Sequence, residues 1–370
     1  FCVSLRKFGV NVLGLADEPY ENLKPELKNS LAEYYKVSDI HNYDELLRAC
    51  GYFTHKYGKI DRIESLNEYW LTTEAKLRTD FNISGTKVNE IGTIKCKSQM
   101  KKIFEKAEVN VAKGKIIQTL RDCEKFIEEV DYPVVAKPDS GVGAANTYKI
   151  KNDQELETFI INKPNVDYFM EEFVQGTLYS FDGLTDKEGN IVFYTSHKFG
   201  QGIMETINED ENIFYYSLRE IPSDLVEAGH RVAKEFYVKE KFFHFEFFRT
   251  EDNKLVGLEV NIRPPGGLTT DMFNYANDID IYNEWANIIV NNQFAETYSR
   301  KFHCSYAGRK INRNYVYSHD EIMSTYKDFI VHYQDMSPVF HSVMGSYGYI
   351  ARAEDLTKIF EIKNYIHKTN

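Results

Sequence analysis

The chain has 370 residues, of which 27% are charged, and its 45 Lys and Arg against 56 Asp and Glu give a net charge of −11. This length allows two or three domains with a sizeable core, and the acidic balance argues against partners such as nucleic acid or an anionic membrane surface. No segment reaches the roughly eighteen uninterrupted apolar residues of a membrane-spanning helix.

The five cysteines, at positions 2, 50, 96, 123 and 304, show no C-x-x-C spacing. Scattered cysteines are typical of reduced thiols, so we expect a cytoplasmic protein without a disulfide framework or a zinc site. The first residue is Phe rather than Met, and Arg6-Lys7 interrupts the opening apolar stretch. We therefore expect no signal peptide and a chain that starts inside a domain.

The first part of the chain alternates short apolar runs with helical patterns, which is typical of an α/β unit. We predict strands over 10–15, 35–37 and 61–66, and one long helix over 44–57. Ligands of open α/β sheets lie beyond the carboxyl ends of the strands, which places Asp17, Glu18, Asn67 and Glu68 on the functional edge. Asn67-Glu68 is explained equally well as the start of a helix.

A glycine-rich loop follows a buried strand in the second part of the chain. The strand, residues 132–137, ends at Lys137, and the loop after it reads PDSGVGAAN. Glycine and alanine let backbone N–H groups approach phosphate oxygens closely. Strands flank the loop on both sides, so neither the Rossmann nor the Walker pattern applies, and a plain turn is the alternative.

The stretch that organises the rest of the chain reads FFHFEFFRTEDNKLVGLEVNIRPPGG. Its alternating apolar and polar residues predict two strands joined by a two-residue turn at Asp252-Asn253. That turn places Glu246 opposite Glu259 and His244 opposite Asn261. Two carboxylates that face each other repel and destabilise a sheet. A bound Mg²⁺ would remove this repulsion, because two carboxylates and an amide carbonyl are ligands that suit it. A solvated strand face with unrelated charges is the alternative.

In their order along the chain, these parts resemble the ATP-grasp superfamily: a lysine on a helix, a lysine on a strand, a glycine-rich loop, a Glu-Glu strand end, and a hairpin with Glu and Glu-x-Asn-x-Arg. The chain looks most like the branch with carboxylate-amine ligases and biotin-carboxylase-like enzymes, whose closing segment is similar to GSYGYIARAEDLTKIFEIKNYI. The resemblance implies an α/β (α+β) ATP-grasp fold. It also implies a Rossmann-like N-terminal domain over 1–92, an ATP-grasp domain over 93–300 and a small C-terminal lobe over 301–370.

The resemblance also implies roles for individual residues. The phosphates of ATP are expected at Lys97, Lys137 and the flap loop, which includes Ser140, Gly141, Gly143 and Ala144. Adenine is expected at the hinge formed by Glu171, Glu172, Phe173 and Val174, between walls formed by Val135, Met170 and Leu258. Mg²⁺, or Mn²⁺ in its place, is expected at Glu246, Glu259 and Asn261. Arg263, Lys137 and Asn261 are the expected catalytic residues, and Asp17, Asn67, Glu68, His197 and Lys198 are expected to contact substrate.

One position departs from the family pattern. Where the family often has a ribose-binding Glu two residues after the hinge glycine, Gly176-Thr177 is followed here by Leu178. We therefore expect Asp182 or a neighbour to take over the ribose contact.

The activity implied by the resemblance is that of an ATP-dependent ligase, which joins a carboxylate to an amine through an acyl phosphate and releases ADP and phosphate. A small-molecule kinase and a nucleotide-binding sensor are the alternatives. The expected partners are a small carboxylate, a small amine and a second copy of the chain in a homodimer.

Overall fold

The computed structural model describes residues 1–141, 146–200 and 211–370. The N-terminal part contains helices and two short parallel strands: α1 Cys2–Lys7, β1 Leu13–Ala16, α2 Pro25–Ser30, β2 Glu33–Lys36, α3 Tyr43–Tyr57 and α4 Leu71–Asp80. Strand β1 pairs with β2 from Leu13 opposite Glu33 onward. Helix α3 places Leu46, Ala49 and Phe53 in the core of this part.

The prediction of a strand over residues 61–66 was wrong. The backbone groups of this segment are bound by side chains of α4 rather than by a neighbouring strand. Ser65 N–H donates to the Glu74 carboxylate at 2.6 Å, and the Ile63 carbonyl accepts from the Arg78 guanidinium at 2.5 Å. Buried backbone groups need partners, and here a carboxylate and a guanidinium supply them.

The middle of the chain forms a four-stranded antiparallel sheet in the order β4-β7-β5-β6. Its elements, with the two helices and the short strand before them, are α5 Gly92–Lys95, α6 Lys97–Lys106, β3 Asn110–Val111, β4 Gly114–Ile117, α7 Leu120–Val130, β5 Val134–Pro138, β6 Tyr148–Ile150, α8 Asp153–Asn162 and β7 Tyr168–Glu172. Helices α7 and α8 pack Phe126 and Phe159 against one face of the sheet. The other face is therefore available to a ligand.

A second sheet has nine strands among the described residues, in the order β14-β15-β13-β10-β9-β8-β11-β12-β3. Its further elements are β8 Thr177–Thr185, β9 Ile191–Phe199, β10 Phe214–Ser217, α9 Ser223–Glu235, β11 Phe242–Arg249, β12 Leu255–Asn261, α10 Thr269–Asn277, α11 Ile281–Asn291, β13 His303–Arg309, α12 His319–Thr325, β14 Ile330–Asp335, α13 His341–Met344, β15 Tyr347–Ala353 and α14 Leu356–His367. Strands on both sides of residue 300 join this one sheet. The domain limits at 92 and 300 remain predictions.

The central hairpin has the predicted facing pairs, but a different turn. Glu246 lies opposite Glu259 and His244 opposite Asn261, as expected. The loop is one residue longer than predicted, because Thr250 N–H donates to the Lys254 carbonyl across three residues. A β-bulge compensates for the extra residue: Phe247 pairs with Gly257, which leaves Leu258 without an opposite residue.

None of the helices formed by the described residues has the length and apolar character needed to cross a membrane.

Candidate functional site

A cavity of about 380 Å³ lies between the two sheets. Most of the predicted site residues line it: Glu68, Lys97, Val135, Lys137, Glu171, Glu172, Phe173, Val174, Glu246, Leu258, Glu259, Asn261 and Arg263. The four-stranded sheet supplies the hinge residues of this set, and the hairpin β11-β12 supplies its carboxylates. The structure thus brings together residues that lie up to two hundred positions apart in the sequence.

The hinge end of the cavity holds a buried cluster of one carboxylate and two lysines. Glu171, on β7, forms an ion pair with Lys137 on the adjacent strand β5 and a second ion pair, 2.7 Å long, with Lys101 on α6. Burial raises the pKa of Glu171, but the two lysine charges outweigh it and hold that pKa at about 2. Glu171 is therefore ionised, and it is paired with two lysines before any ligand binds.

The three residues expected to hold the metal ion, the metal set Glu246, Glu259 and Asn261, suit Mg²⁺ or Mn²⁺. Glu246 and Glu259 face each other, and the Oδ1 atom of Asn261 is buried without a hydrogen-bond partner among the described residues. Burial raises the pKa of Glu259; Lys97 opposes that shift, and Glu246 adds to it. A cation would satisfy the buried, unpaired amide oxygen and the two facing carboxylates together, and hard oxygen donors suit Mg²⁺ or Mn²⁺.

This set contains only two carboxylates. Within the described ranges, no group of three or more His, Cys, Asp or Glu side chains is placed to hold a metal ion. Magnesium usually keeps several water or phosphate oxygens as ligands, so two carboxylates and an amide are enough for a site completed by a nucleotide.

Arg263 is held in place by the N-terminal part of the chain. Its guanidinium lies 3.0 Å from Glu68, and the same carboxylate lies 3.0 Å from the Lys95 ammonium. Burial raises the pKa of Glu68, but the two cations outweigh it and lower that pKa. Glu68 lines the cavity and already pairs with both cations, and its contact with substrate stays a prediction.

A buried network lies behind the metal set. The His244 Nδ1 atom is 2.5 Å from Asp182 Oδ1, and its Nε2 atom is 3.0 Å from Glu246 Oε1. His197 Nδ1 lies 2.7 Å from the other Asp182 oxygen, which also accepts from the Ser180 hydroxyl. Burial lowers the pKa of His244, but the charges of Asp182 and Glu246 outweigh it and raise that pKa to about 10.

Two predicted contacts are corrected by burial. Asp182 was expected to replace the ribose-binding Glu, but it is fully buried and bound to two histidines. Met170 was expected to form a wall of the adenine site, but it points into the core beneath α7 and α8. Side chains alternate along a strand, so Met170 points away from the cavity while its neighbour Glu171 faces it.

Other predicted residues lie outside the cavity lining. Asp17 accepts from the Ile40 N–H, Glu18 from the Asn22 amide, and Asn67 caps the short 3₁₀ helix at Tyr69. Ser140 Oγ lies 3.1 Å from Cys96 Sγ. The remaining four in this group are Gly141, which follows Ser140, His197, which is bound to Asp182, Lys198, which lies over the Tyr179 ring, and Met170, which precedes Glu171. Gly143 and Ala144 lie outside the described residues.

Sequence reasoning missed several residues of the cavity. Lys101 had a detectable signal, because it lies four positions after Lys97 on the same face of α6. Phe340, Val343 and Met344 reach the cavity from the C-terminal part of the chain. No local pattern marks these three residues, because only the tertiary fold brings them to the site.

The two sheets that enclose the cavity, the hinge and the carboxylate-bearing hairpin define the ATP-grasp fold. Residues 130–271 match the family model described as an ATP-grasp domain. This part of the chain is therefore an ATP-grasp domain.

Three known proteins show what this chain is similar to. The L-arginine-specific L-amino acid ligase of Bacillus subtilis is 24% identical over 250 residues, which cover 64% of this chain and 59% of that protein. This chain therefore spans less than two thirds of the length of that relative. The crystal structure of an L-amino acid ligase from Bacillus licheniformis superposes with a TM-score of 0.77 at 13% identity, over 98% of this chain and 92% of that one. The biotin carboxylase domain of Hydrogenobacter thermophilus 2-oxoglutarate carboxylase, solved with MgADP, gives a TM-score of 0.69 at 16% identity, over 95% of this chain and 83% of that one.

Proposed function

We propose that the protein is an ATP-dependent ligase that joins a carboxylate to an amine through an acyl phosphate and releases ADP and phosphate. The observation that carries the proposal is the facing pair Glu246 and Glu259 beside the unpaired buried oxygen of Asn261, in the same cavity as the hinge. The names of the similar amino acid ligases support the same reaction class.

In this proposal, the nucleotide lies between the sheets. Glu171, Glu172, Phe173 and Val174 would hold adenine against the Val135 and Leu258 side chains. Lys97, Lys137 and the loop with Ser140, Gly141, Gly143 and Ala144 would hold the phosphates. The ion pair between Lys137 and Glu171 means that Lys137 must share its charge between that carboxylate and a phosphate. Lys101 keeps Glu171 neutralised when Lys137 turns to the nucleotide.

At the other end of the cavity, Glu246, Glu259 and Asn261 would hold Mg²⁺ or Mn²⁺. The bound ion offsets the charge that builds up on the phosphate oxygens during transfer. Arg263 would orient the substrate carboxylate with two parallel hydrogen bonds. Glu68 would fix the direction of that guanidinium, and a cavity closed over both substrates would keep water away from the acyl phosphate.

Amino acids are the substrates we propose, because the similar ligases are named for them. Five free cysteines, three of them buried, support a reducing, cytoplasmic environment. Asp17, Asn67, His197 and Lys198 lie outside the cavity lining, and their roles in substrate binding stay predictions. The homodimer remains a prediction.

The experiment that tests this proposal measures ADP and phosphate release with Mg-ATP and pooled amino acids. We expect both products, only when a particular carboxylate and amine are present together. Glu259→Gln should lower this turnover at least 100-fold, because the charge stabilisation supplied through the metal amounts to several kcal/mol. Far-ultraviolet circular dichroism of the variant should match the wild type. ADP without phosphate would indicate a kinase, and nucleotide binding without turnover would indicate a sensor.

A further inference from the structure

His244 connects a proposed metal ligand to a carboxylate that has no access to solvent. It lies two residues before Glu246 on β11 and opposite Asn261 on β12, so all three side chains are on one face of the sheet. Its Nε2 atom lies 3.0 Å from Glu246 Oε1, and its Nδ1 atom lies 2.5 Å from Asp182 Oδ1. The ring therefore joins two carboxylates, of which only Glu246 lines the cavity.

Asp182 has little freedom to move. Its side chain is fully buried on β8, the strand that pairs with β11. The Ser180 hydroxyl and His197 Nδ1 both contact Asp182 Oδ2, at 2.5 and 2.7 Å. This leaves Oδ1 for His244, and it fixes the ring of His244 in one orientation.

We propose that His244, held by Asp182, is a positioning residue that fixes the Glu246 carboxylate for a divalent cation. The Nε2–H group engages one oxygen of Glu246, which leaves the other oxygen for the cation. Mg²⁺ requires a nearly ideal octahedral arrangement, so a carboxylate held in one orientation binds it better than a mobile one. The inference rests on the proposed nucleotide and metal site.

Two variants of His244 separate its two hydrogen bonds. The amide nitrogen of Asn lies near the position of a histidine Nδ1 atom, so His244→Asn keeps the donor to Asp182 and loses the donor to Glu246. The amide nitrogen of Gln lies near the position of Nε2, so His244→Gln keeps the donor to Glu246. Binding of Mn²⁺ to the full chain, measured by electron paramagnetic resonance with saturating ADP, reports on the cation directly.

We expect His244→Asn to raise the Mn²⁺ dissociation constant about tenfold or more, as is usual when the partner of a metal ligand is removed. His244→Gln should stay within about threefold of the wild type. His197→Asn is the matched control, because it keeps a donor to Asp182 and leaves the contact between His244 and Glu246 in place. Equal losses in the His244→Asn and His197→Asn variants would show a general structural effect and overturn the proposal.

If His244→Asn does not fold, Asp182→Asn is the second variant. It weakens the hydrogen bond between His244 and Asp182, and it leaves His244 and Glu246, which both line the cavity, unchanged. Unchanged Mn²⁺ affinity in a folded Asp182→Asn variant would overturn the proposal, and a loss of fivefold or more would support it. A wild type that binds ADP but no Mn²⁺ would instead refute the metal site itself. If the wild type binds Mn²⁺ and the variants bind it equally well, the metal site stands and only the positioning role of His244 is refuted.

Discussion

At the scale of single residues, the site depends on charges that neutralise one another before any ligand binds. Glu68 contacts both Arg263 and Lys95 at 3.0 Å and has an exposed side-chain fraction of 13%. We therefore propose that Glu68 directs Arg263 into the cavity. In the isosteric variant Glu68→Gln, the guanidinium loses its ionic partner, and we expect kcat/KM for the carboxylate substrate to fall about tenfold, which corresponds to about 1.4 kcal/mol.

Thermal stabilisation by MgADP is the control for this variant, because the ion pairs of Glu68 go to Arg263 and Lys95, neither of which belongs to the proposed hinge. The shift in melting temperature caused by MgADP should be the same in Glu68→Gln and the wild type. A loss of MgADP stabilisation in this variant would contradict the role assigned to Glu68 and place it in the nucleotide site.

Residue by residue, the sequence predicted the lining of the cavity better than the network behind it. Residues such as Glu259 and Asn261 follow from the period-two alternation of a hairpin that has one polar face. Asp182 and His197 were expected near a ligand, but both lie on central strands of the sheet, where burial on both faces removes the alternation that would show their direction. Polar residues inside a buried strand do not reveal their partners in the sequence.

At the scale of single elements, helix α14 ends in a histidine that the fold keeps neutral. His367 Nε2 donates to the Gly308 carbonyl at 3.0 Å. Burial, together with the charges of Lys363 and Arg309, lowers the pKa of His367 from 6.5 to about 3. Between these two pH values, the unfolded chain binds a proton at this position that the folded chain does not bind. The free energy of unfolding therefore falls as the pH falls through this interval.

The variant His367→Gln keeps the donor to Gly308 and removes the titration. Between pH 6.5 and pH 5, we expect the wild type to lose roughly 1 kcal/mol more unfolding free energy than the variant, after allowing for the partial exposure of the side chain. Urea unfolding at both pH values measures the difference. Parallel stability curves for the two proteins would show that His367 is protonated equally in the folded and unfolded chains.

The facing pairs of the central hairpin were predicted correctly, although the length of its turn was not. A two-residue turn gave the observed facing pairs, although the loop has three residues, because the bulge at Leu258 restores the register. Bulges and loop lengths depend on backbone φ values, such as the 62° of Asn253. The sequence indicates such a value only through the preference of certain residue types, Asn among them, for positive φ. The segment 61–66 had the composition of a strand, but its hydrogen bonds go to side chains that lie 9 to 15 residues away.

At the scale of the whole molecule, an ion cluster joins the N-terminal part to the strand that carries His244 and Glu246. Lys241, the residue before β11, forms ion pairs with Glu64 and with Glu74, the latter at 3.4 Å. Arg78 completes the cluster with the same two carboxylates, and its side chain is 2% exposed. Two cations thus balance two carboxylates between parts of the chain that are distant in sequence.

Removal of Lys241 should destabilise the folded chain, because it leaves the buried carboxylate of Glu74 and the half-buried carboxylate of Glu64 to one guanidinium. For Lys241→Met we expect a loss of about 3 kcal/mol of unfolding free energy in urea, the usual cost of removing one member of a buried ion pair. Arg62→Met is the matched control: it breaks the neighbouring pair with Glu240, whose side chains are 26% and 14% exposed, and should cost less than about 1 kcal/mol. Hydrogen exchange should then quicken in β11 of the Lys241 variant alone. Equal losses in both variants would show that the cluster around Arg78 does not fasten β11 to the N-terminal part.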